Sequence, residues 1–324
     1  MADVLILYEE SAVVPMKVEE RHVEKLRQIG GGKIYWCKTE AQALSEGIDA
    51  EVLYMWGGSG KLPEEYIGKS KNIKWIHTFS AGIDPFMKSP IRDLPIRLTN
   101  ARGLHGKTMA QTTIGYIISF LRDFPGLYRQ QQKHIWKKPN NPLPGEAEGL
   151  TLCILGAGAI GGEVARLGKA LDMRVIGVKR NAVPLEHYDE MYPATLIDEA
   201  VSQADFLVIL TPLTPETHHL MDAKRIEKMK PTAILINISR GPVVDELALI
   251  EALRAKKIAG AALDALEIEP LPPESPLWDM ENVIVTPHCS ATSARYMDRA
   301  ITQFCDLLER YRRGEALYNE IDLS

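Results

Sequence analysis

Several features are scarce in this chain of 324 residues. It has only four cysteines, Cys37, Cys153, Cys289 and Cys305, and no two of them form a Cys-x-x-Cys pair. This spacing argues against a disulfide framework or a zinc site, and it predicts reduced thiols and no bound metal. Long apolar runs are also missing, since stretches such as 112–121 cover about ten residues whereas a membrane helix needs roughly 20.

Charge of one sign is not in large excess either. The chain has 38 basic and 43 acidic side chains, a formal net charge of −5, which argues against a broad nucleic-acid-binding surface. The first residues carry no basic segment and too short an apolar run for a secretory signal. Because 45% of the residues are hydrophobic, disorder is excluded. We expect a cytoplasmic protein, and the length predicts two domains.

Short β-rich runs alternate with longer helical patterns, which is typical of a doubly wound α/β fold. The first series of predicted strands covers 4–8, 33–37, 51–56, 74–79 and 96–100. The second covers 151–155, 174–178, 205–210, 233–238, 260–263 and 283–286. Helices are predicted at 18–29, 107–122, 159–171, 222–229, 245–255 and 292–312, and residues 130–148 are predicted to be a polar surface excursion.

A glycine motif marks the start of the second series. Gly156, Gly158 and Gly161 form a G-x-G-x-x-G pattern between a predicted strand and a predicted helix, which is the context that a dinucleotide site requires. The first glycine permits a tight turn, the second admits the pyrophosphate, and the third allows close helix packing. The amides of Ala159 and Ile160 then face the anion at the helix N-terminus.

The end of the next strand indicates which dinucleotide binds. An NAD site normally has a carboxylate there for the ribose 2′-hydroxyl, but this strand ends in Lys179-Arg180-Asn181. Two cations would neutralise a 2′-phosphate, and arginine binds phosphate with paired hydrogen bonds. The alternative is a solvated basic turn. We predict a preference for NADPH, with NAD also possible.

A second nucleotide motif competes with this interpretation. Residues Ala101–Thr108, with Gly106, Lys107 and Thr108 at the end, fit a relaxed phosphate-loop pattern typical of nucleotide triphosphatases. Ala101 replaces the usual first glycine, and no apolar strand ending in a magnesium-binding Asp is evident. The dinucleotide site is therefore preferred.

Polar side chains follow three late strands of the second series. Arg240 follows one strand, Asp264, Glu267 and Glu269 follow the next, and His288 follows the last. Because ligands bind at the carboxyl ends of parallel strands, these groups are expected to converge beside the nicotinamide. Spacing alone does not choose between Glu267 and Glu269.

Six segments together resemble the D-2-hydroxyacid dehydrogenase family, and in character the NADP-using glyoxylate/hydroxypyruvate and 2-ketoacid reductases. They are Ser80–Asp84, Gly156–Gly161, Thr211–Thr217, Asn237–Pro242, Asp264–Pro270 and Thr286–His288. The resemblance implies two Rossmann-like doubly wound α/β domains, the larger with a parallel dinucleotide-binding sheet and the smaller flavodoxin-like. The motif order predicts a discontinuous substrate domain, 1–101 with 291–324, around a coenzyme domain, 102–290.

The resemblance also implies roles for individual residues. Arg240 would bind the substrate carboxylate and polarise its carbonyl, His288 would donate the proton, and Glu269, the Glu before proline, would orient His288. The amides of Ala81 and Gly82 would bind the substrate carboxylate, and Trp56 would line the substrate side chain unless it is ordinary packing. The implied cofactor contacts are Gly156, Gly158, Ala159, Ile160, Gly161, Lys179, Arg180, Thr211, Pro212, Ile238, Ser239 and Asp264.

The expected function is thus reversible reduction of a 2-oxo acid to a D-2-hydroxy acid by a homodimer that binds neither nucleic acid nor membrane. A pyridine-nucleotide-sensing corepressor is the non-enzymatic alternative, because such proteins keep the Arg, Glu and His. They carry extra interaction tails, which this chain is not expected to have. Trp136, in the polar excursion, is a candidate for the dimer contact.

Overall fold

The computed structural model describes residues 2–8, 17–58, 61–138 and 145–322. The chain divides into two compact units, Met1–Leu104 with Thr292–Ser324 (unit 1) and His105–Ala291 (unit 2). The assignment of substrate binding to the discontinuous unit and coenzyme binding to the other stays a prediction. Within the described ranges, no helix is both long and apolar enough to cross a membrane.

The described residues form parallel strands and helices in alternation. The strands are β1 (Val4–Leu7), β2 (Ile34–Cys37), β3 (Val52–Met55), β4 (Trp75–Thr78), β5 (Arg97–Asn100), β6 (Thr151–Leu155), β7 (Arg174–Lys179), β8 (Glu190–Pro193), β9 (Phe206–Ile209), β10 (Ile234–Asn237), β11 (Gly260–Leu263) and β12 (Val283–Val285). The α-helices are α1 (Glu20–Ile29), α2 (Glu40–Ser45), α3 (Glu64–Lys69), α4 (Asp84–Lys88), α5 (Gly106–Leu121), α6 (Phe124–Gln132), α7 (Ala159–Lys169), α8 (Ile197–Gln203), α9 (Ala223–Ile226), α10 (Glu246–Arg254) and α11 (Tyr296–Arg312).

Unit 1 is built on a parallel sheet with the strand order β2-β1-β3-β4-β5. This is the order of flavodoxin-like folds. Every residue of β1 is buried, as expected when helices cover both faces of a sheet. The apolar side of α11 packs into the same core as β1 and β3, with Tyr296, Phe304 and Leu308 fully buried. The predicted flavodoxin-like architecture is confirmed.

Unit 2 is built on a second parallel sheet with the order β12-β11-β10-β9-β6-β7-β8. Strands β7 and β8 follow on one side of β6, and strands β9 to β12 follow on its other side. The order therefore reverses between β6 and β9, which is the position where doubly wound sheets bind ligands. The predicted parallel Rossmann-like sheet is confirmed.

Small residues set the distance between α7 and this sheet. The buried positions of α7 are Gly161, Val164, Ala165 and Gly168, at the spacing of one helical face. A Cβ at Gly168 would lie 2.7 Å from the Leu152 side chain, so a larger residue would push the helix away from β6. The helix start beside the glycine turn is thus fixed by packing.

Some elements differ from the sequence-based expectation. Strand β8 was missed because its residues, Glu-Met-Tyr-Pro, are polar or half-exposed at the sheet edge and form no apolar run. The helix predicted at 222–229 is only the single turn of α9, and α6 continues to Gln132 inside the predicted excursion. Part of that excursion, 139–144, lies outside the described residues. Short helices such as α2 and α4 were also missed, because five or six residues show no clear period.

The segment 101–108 does not have the structure of a phosphate loop. Strand β5 before it belongs to unit 1, whereas α5 after it belongs to unit 2. A phosphate loop joins a strand and a helix of one βα unit. The competing nucleotide motif is therefore not supported.

Candidate active site

The glycine turn follows β6 and leads directly into α7. Gly156 has φ +103°, and a Cβ there would lie 2.8 Å from the carbonyl carbon of Leu210. A Cβ at Gly161 would lie 2.7 Å from the Gly156 carbonyl oxygen, whereas a Cβ at Gly158 would meet nothing within 4 Å. Two glycines are thus required by contacts inside the chain, and the third leaves open space at the N-terminus of α7. That is the division of roles expected for a dinucleotide turn.

The loop after β9 lies on the other side of this turn. Thr211 and Pro212 directly follow the end of the strand, and the Thr211 amide nitrogen would lie 2.9 Å from a Cβ at Gly156. The Thr211 hydroxyl is buried and has no hydrogen-bond partner among the described residues. An unsatisfied buried hydroxyl is costly unless a ligand or water completes it. The position therefore suits a polar group of a bound molecule.

The basic corner lies at the end of β7. Lys179 is the last residue of this strand, and both Lys179 and Arg180 are exposed. The hydrogen bond from Thr214 lowers the pKa of Glu216, and the Arg180 charge lowers it further. Arg180 is therefore near the loop that follows β9, on the side of the sheet that carries the glycine turn.

Arg240 lies in a tight loop after β10. The Asn237 side chain shapes this loop, because its Oδ1 accepts hydrogen bonds from the Ser239 amide (3.1 Å) and hydroxyl (2.9 Å) and its Nδ2 donates to the Arg240 carbonyl (3.1 Å). Ile238 and Ser239 are buried beneath it. The local sequence therefore fixes the Arg240 backbone independently of any ligand.

Gly241 brings this loop against the loop that follows β11. A Cβ at Gly241 would lie 1.9 Å from the Leu266 carbonyl oxygen and 2.4 Å from the Glu267 amide nitrogen. No side chain fits in that space, so only glycine allows the two loops to touch. This contact brings the loop of Arg240 against the loop of Glu269.

His288 and Glu269 form a hydrogen-bonded pair. His288 Nδ1 lies 2.9 Å from Glu269 Oε2 and 3.1 Å from Oε1, and the Leu266 amide donates to Oε1 at 3.0 Å. The two side chains are 45% and 39% exposed. With Nδ1 occupied by the carboxylate, the other ring nitrogen, Nε2, remains available for proton transfer. The choice between Glu267 and Glu269 that spacing left open is therefore resolved: Glu269 is the partner of His288.

The pKa values of the pair shift in opposite directions. The hydrogen bond that His288 donates to Glu269 is the largest cause that raises the pKa of His288, against partial burial and the nearby positive charge of Arg240. Burial alone would raise the pKa of Glu269, but the hydrogen bonds from His288 and Leu266 and the charges of His288 and Arg240 together lower it. The pair therefore favours a charged imidazolium beside a carboxylate.

Asp264, at the end of β11, anchors the loop of His288. Its carboxylate is buried and accepts hydrogen bonds from the Thr286 hydroxyl (2.6 Å) and from the amides of Cys289 and Ser290 (both 2.9 Å). His288 itself has φ +49°, a conformation that non-glycine residues rarely adopt. These three bonds hold the loop in that conformation. Sequence reasoning singled out Asp264 for a different role, contact with the nicotinamide, and that role stays a prediction.

Two further side chains support these loops and were not predicted. The Tyr116 hydroxyl, on α5, lies 2.6 Å from the Thr286 hydroxyl, and burial raises the pKa of Tyr116 to about 12. His219, after β9, forms a 2.7 Å hydrogen bond with Glu267. Neither position carries a motif signal of its own, because their importance depends on contacts between residues far apart in the sequence.

The remaining predicted residues belong to unit 1. Trp56, after β3, is half-buried and its ring lies 5.6 Å from that of Phe79. The carbonyls of Ala81 and Gly82 accept hydrogen bonds from Asn100 Nδ2 (2.7 Å) and the Ser80 hydroxyl (2.8 Å). Within the part of the chain that the structure describes, the amides of Ala81 and Gly82 have no hydrogen-bond acceptor. They are therefore free to bind an anion.

Comparison with known proteins agrees with this geometry. Residues 114–290 match the family model for the NAD-binding domain of D-isomer specific 2-hydroxyacid dehydrogenases. The chain is 31% identical over 285 residues to a glyoxylate reductase of Korarchaeum cryptofilum, covering 86% of this chain and 81% of that protein.

Solved structures give the same result. A D-isomer specific 2-hydroxyacid dehydrogenase family protein from Aeromonas salmonicida matches with a TM-score of 0.86 and 31% identity, and all of both chains is covered. An NADPH-dependent glyoxylate/hydroxypyruvate reductase from Sinorhizobium meliloti, in complex with NADP and sulfate, matches with a TM-score of 0.79 and 27% identity, covering 100% of this chain and 99% of that one. From its fold, its site and these matches, the chain belongs to the D-isomer specific 2-hydroxyacid dehydrogenase family.

Proposed function

We propose that this chain transfers a hydride reversibly between NADPH and the 2-carbon of a 2-oxo acid, with a D-2-hydroxy acid as the reduced product. The observation that carries the proposal is the His288–Glu269 pair close to the Arg240 charge. These groups lie on loops that follow β10, β11 and β12, in the same sheet whose β6 ends in the glycine turn. Family membership supports the reaction class.

The residues around the glycine turn fit a dinucleotide. The open space at Gly158 admits a pyrophosphate to the amides of Ala159 and Ile160, where the helix dipole of α7 favours an anion. The Thr211 hydroxyl, which has no partner among the described residues, and the neighbouring Pro212 would contact the ribose side. Ile238 and Ser239 are further proposed cofactor contacts, and Asp264 is the proposed contact of the nicotinamide amide. When bound, the reduced nicotinamide supplies the hydride.

Arg240 and His288 would do the remaining chemistry. The planar guanidinium of Arg240 suits the substrate carboxylate and fixes the position of the carbonyl carbon. As the carbonyl carbon gains the hydride, its oxygen takes a proton from His288 Nε2 and becomes the hydroxyl. His288 is left neutral and still hydrogen-bonded to Glu269, whose carboxylate stabilises the charged imidazolium before the step. The amides of Ala81 and Gly82, in unit 1, are the further anion-binding groups that the family resemblance implies.

The basic corner supports NADPH over NADH. Lys179 and Arg180 are both exposed at the end of β7, where an NAD site normally has a carboxylate. The related Sinorhizobium enzyme is NADPH-dependent. Glu216, near Arg180, opposes this preference in part.

A homodimer is part of the proposal. Four large apolar side chains of unit 2 are exposed on α6 and the segment after it, namely Phe124, Tyr128, Ile135 and Trp136. Trp136 is fully exposed. A cluster of this kind on a free chain favours a protein contact, and a second copy is the partner that the family resemblance implies.

The decisive experiment measures turnover of glyoxylate, hydroxypyruvate, pyruvate and phenylpyruvate with NADPH and with NADH, and determines the chirality of each product. We expect a D-product and a higher kcat/KM with NADPH. The same panel tests the predicted role of Trp56. A higher kcat/KM for phenylpyruvate than for the smaller acids would support contact between Trp56 and the substrate side chain. Tight NADPH binding without turnover of any acid would contradict the enzymatic proposal and favour a nucleotide-sensing protein.

A further inference from the structure

His219 and Glu267 form a second histidine–carboxylate pair in unit 2. His219 Nε2 lies 2.7 Å from Glu267 Oε1, and His219 Nδ1 faces Asp245 Oδ2 at 3.9 Å. The His219 side chain is 36% exposed and that of Glu267 is 28% exposed. Because partial burial strengthens a hydrogen bond that involves a charged group, this pair is more than a solvated surface contact.

The pair joins the loops that follow three neighbouring strands. His219 lies in the loop after β9, and Glu267 lies in the loop after β11. The His219 amide also donates to the Pro242 carbonyl, in the loop after β10, at 2.8 Å, and the Met221 amide donates to the Val243 carbonyl at 3.0 Å. His219 thus contacts the loop after β11 through its side chain and the loop after β10 through its backbone amide.

The same three loops carry the proposed reaction groups. Thr211 precedes His219 in its loop, Arg240 precedes Pro242, and Glu269 follows Glu267 by two residues. The Leu266 amide donates to Glu269 Oε1 at 3.0 Å, so the segment from Leu266 to Glu269 forms a closed turn. Moving the Glu267 backbone therefore moves the carboxylate that orients His288.

Carboxylates are the main charged groups around His219. Glu267 and Asp245 face its two ring nitrogens, and Glu246 Oε2 accepts a hydrogen bond from the Glu267 amide at 3.1 Å. Burial raises the pKa of Glu246, against the hydrogen bond from that amide. On its own loop, His219 stacks on His218 with the ring centroids 4.1 Å apart. Because a carboxylate oxygen accepts, His219 Nε2 is the donor of its bond to Glu267.

We propose that His219 is a positioning residue of the reaction, which holds Glu267 so that Glu269 stays paired with His288. It contacts neither substrate nor reacting atoms and acts only through the loops. The expected effect on kcat/KM rests on the proposed function. The expected effect on the pKa of His288 does not, because that pKa is measured in the free protein without turnover.

The test uses His219→Ala and His219→Gln, with His218→Ala as the matched control. In His219→Ala, Glu267 loses its hydrogen bond with the imidazole. In His219→Gln, the side-chain amide restores a donor near the position of the imidazole Nε2. His218 is exposed on the same loop and stacks on the same ring. The first measurement is an NMR titration of the His288 ring in the free protein, and the second is the pH profile of kcat/KM.

We expect His219→Ala to lower the pKa of His288 by roughly half to one pH unit, since Glu269 no longer holds a fixed position. The alkaline limb of kcat/KM moves down by the same amount, and kcat/KM at neutral pH falls about tenfold. His219→Gln recovers most of both values, and His218→Ala changes neither. If the alanine variant does not fold, Glu267→Gln takes its place with the same expected direction.

Two results overturn the inference. A lower melting temperature with an unchanged His288 titration would make the pair a structural contact only. An equal shift in His218→Ala would assign the effect to ring stacking and not to the bond with Glu267. Absence of turnover in the unsubstituted protein would contradict the proposed function, and the NMR titration would still decide the inference.

Discussion

Two histidines, one in each unit, show how differently the two sheets of this chain use the same side chain. His288, in the loop after β12, is partly exposed and hydrogen-bonded to Glu269, and that bond raises its pKa. His77, in the middle of β4, is fully buried, and burial lowers its pKa to about 3. One imidazole is held ready to carry a proton, and the other is kept neutral.

The surroundings of His77 explain the contrast. Its ring stacks on Tyr54 (5.6 Å between centroids) and on Phe304 (5.3 Å), its Nδ1 lies 2.7 Å from the Thr99 hydroxyl, and its Nε2 has no partner among the described residues. Among the residues that the structure describes, none of the carboxylates is paired with it. The comparison teaches that a strand-end loop gives a histidine both an acidic partner and access to ligands, whereas a strand interior gives it aromatic packing and a neutral hydroxyl partner.

The largest expected effect comes from removing the proton donor. His288→Gln keeps a polar side chain but cannot deliver a proton, so kcat should fall by about 10²–10⁴-fold while the Kd for NADPH changes little. Turnover is followed by NADPH absorbance, and binding by quenching of protein fluorescence. Near-normal turnover would mean that His288 is not the proton donor, so that it would not differ from His77 in function.

The pH profile sharpens the same point. Reduction needs His288 protonated, so kcat/KM is constant below its raised pKa and falls as the pH rises through it. Glu269→Gln removes the main cause of the raised pKa, and the alkaline limb therefore moves to lower pH. An unchanged profile in this variant would mean that Glu269 does not set the charge of His288.

A smaller effect is expected at the basic corner of the same sheet. Replacing Lys179 and Arg180 together by serine should lower kcat/KM for NADPH about 10–100-fold and leave the value for NADH almost unchanged, because only the 2′-phosphate is affected. Lys224→Ser, an exposed lysine of α9, is the control for general loss of charge. An equal loss of kcat/KM with both cofactors would mean that Lys179 and Arg180 do not bind the 2′-phosphate and form only a solvated turn.

The smallest effect on turnover is expected in the five-stranded sheet. His77→Phe should leave kcat and KM nearly unchanged, because the ring packs in the core, and Thr99 keeps its bond from Trp75 Nε1 (2.8 Å). Its effect is on acid stability. A histidine with a lowered folded-state pKa contributes stability that is complete above pH about 6.5 and is lost as the pH falls towards 3, on the order of 4 kcal/mol.

Urea unfolding between pH 4 and 7 measures this contribution. The free energy of unfolding of the unsubstituted chain should fall steeply over that range, and that of His77→Phe should fall less. If both fall equally, other groups dominate the acid sensitivity of the chain. If turnover is lost as well, His77 is more than a core residue and the contrast between the two sheets does not hold.

Much of the fold could be predicted because its signals are local. Continuous apolar runs such as Val4–Leu7 and Phe206–Ile209 predicted strands covered on both sides, and the structure places both as interior strands of their sheets. The edge strand β8 was not predictable in this way, since one side of an edge strand faces solvent and needs no apolar run. Short helices gave no period to detect.

The sequence by itself determined the glycine turn, the order of the sheet motifs and the set of polar residues that follow the strands. It could not assign the partners of those residues. Glu267 and Glu269 are two positions apart, and spacing treats them alike, yet one bonds to His219 and the other to His288. Only the tertiary structure decided this, because His219 and His288 lie on loops far apart in the sequence and reach the two carboxylates only when the strands are side by side in the sheet.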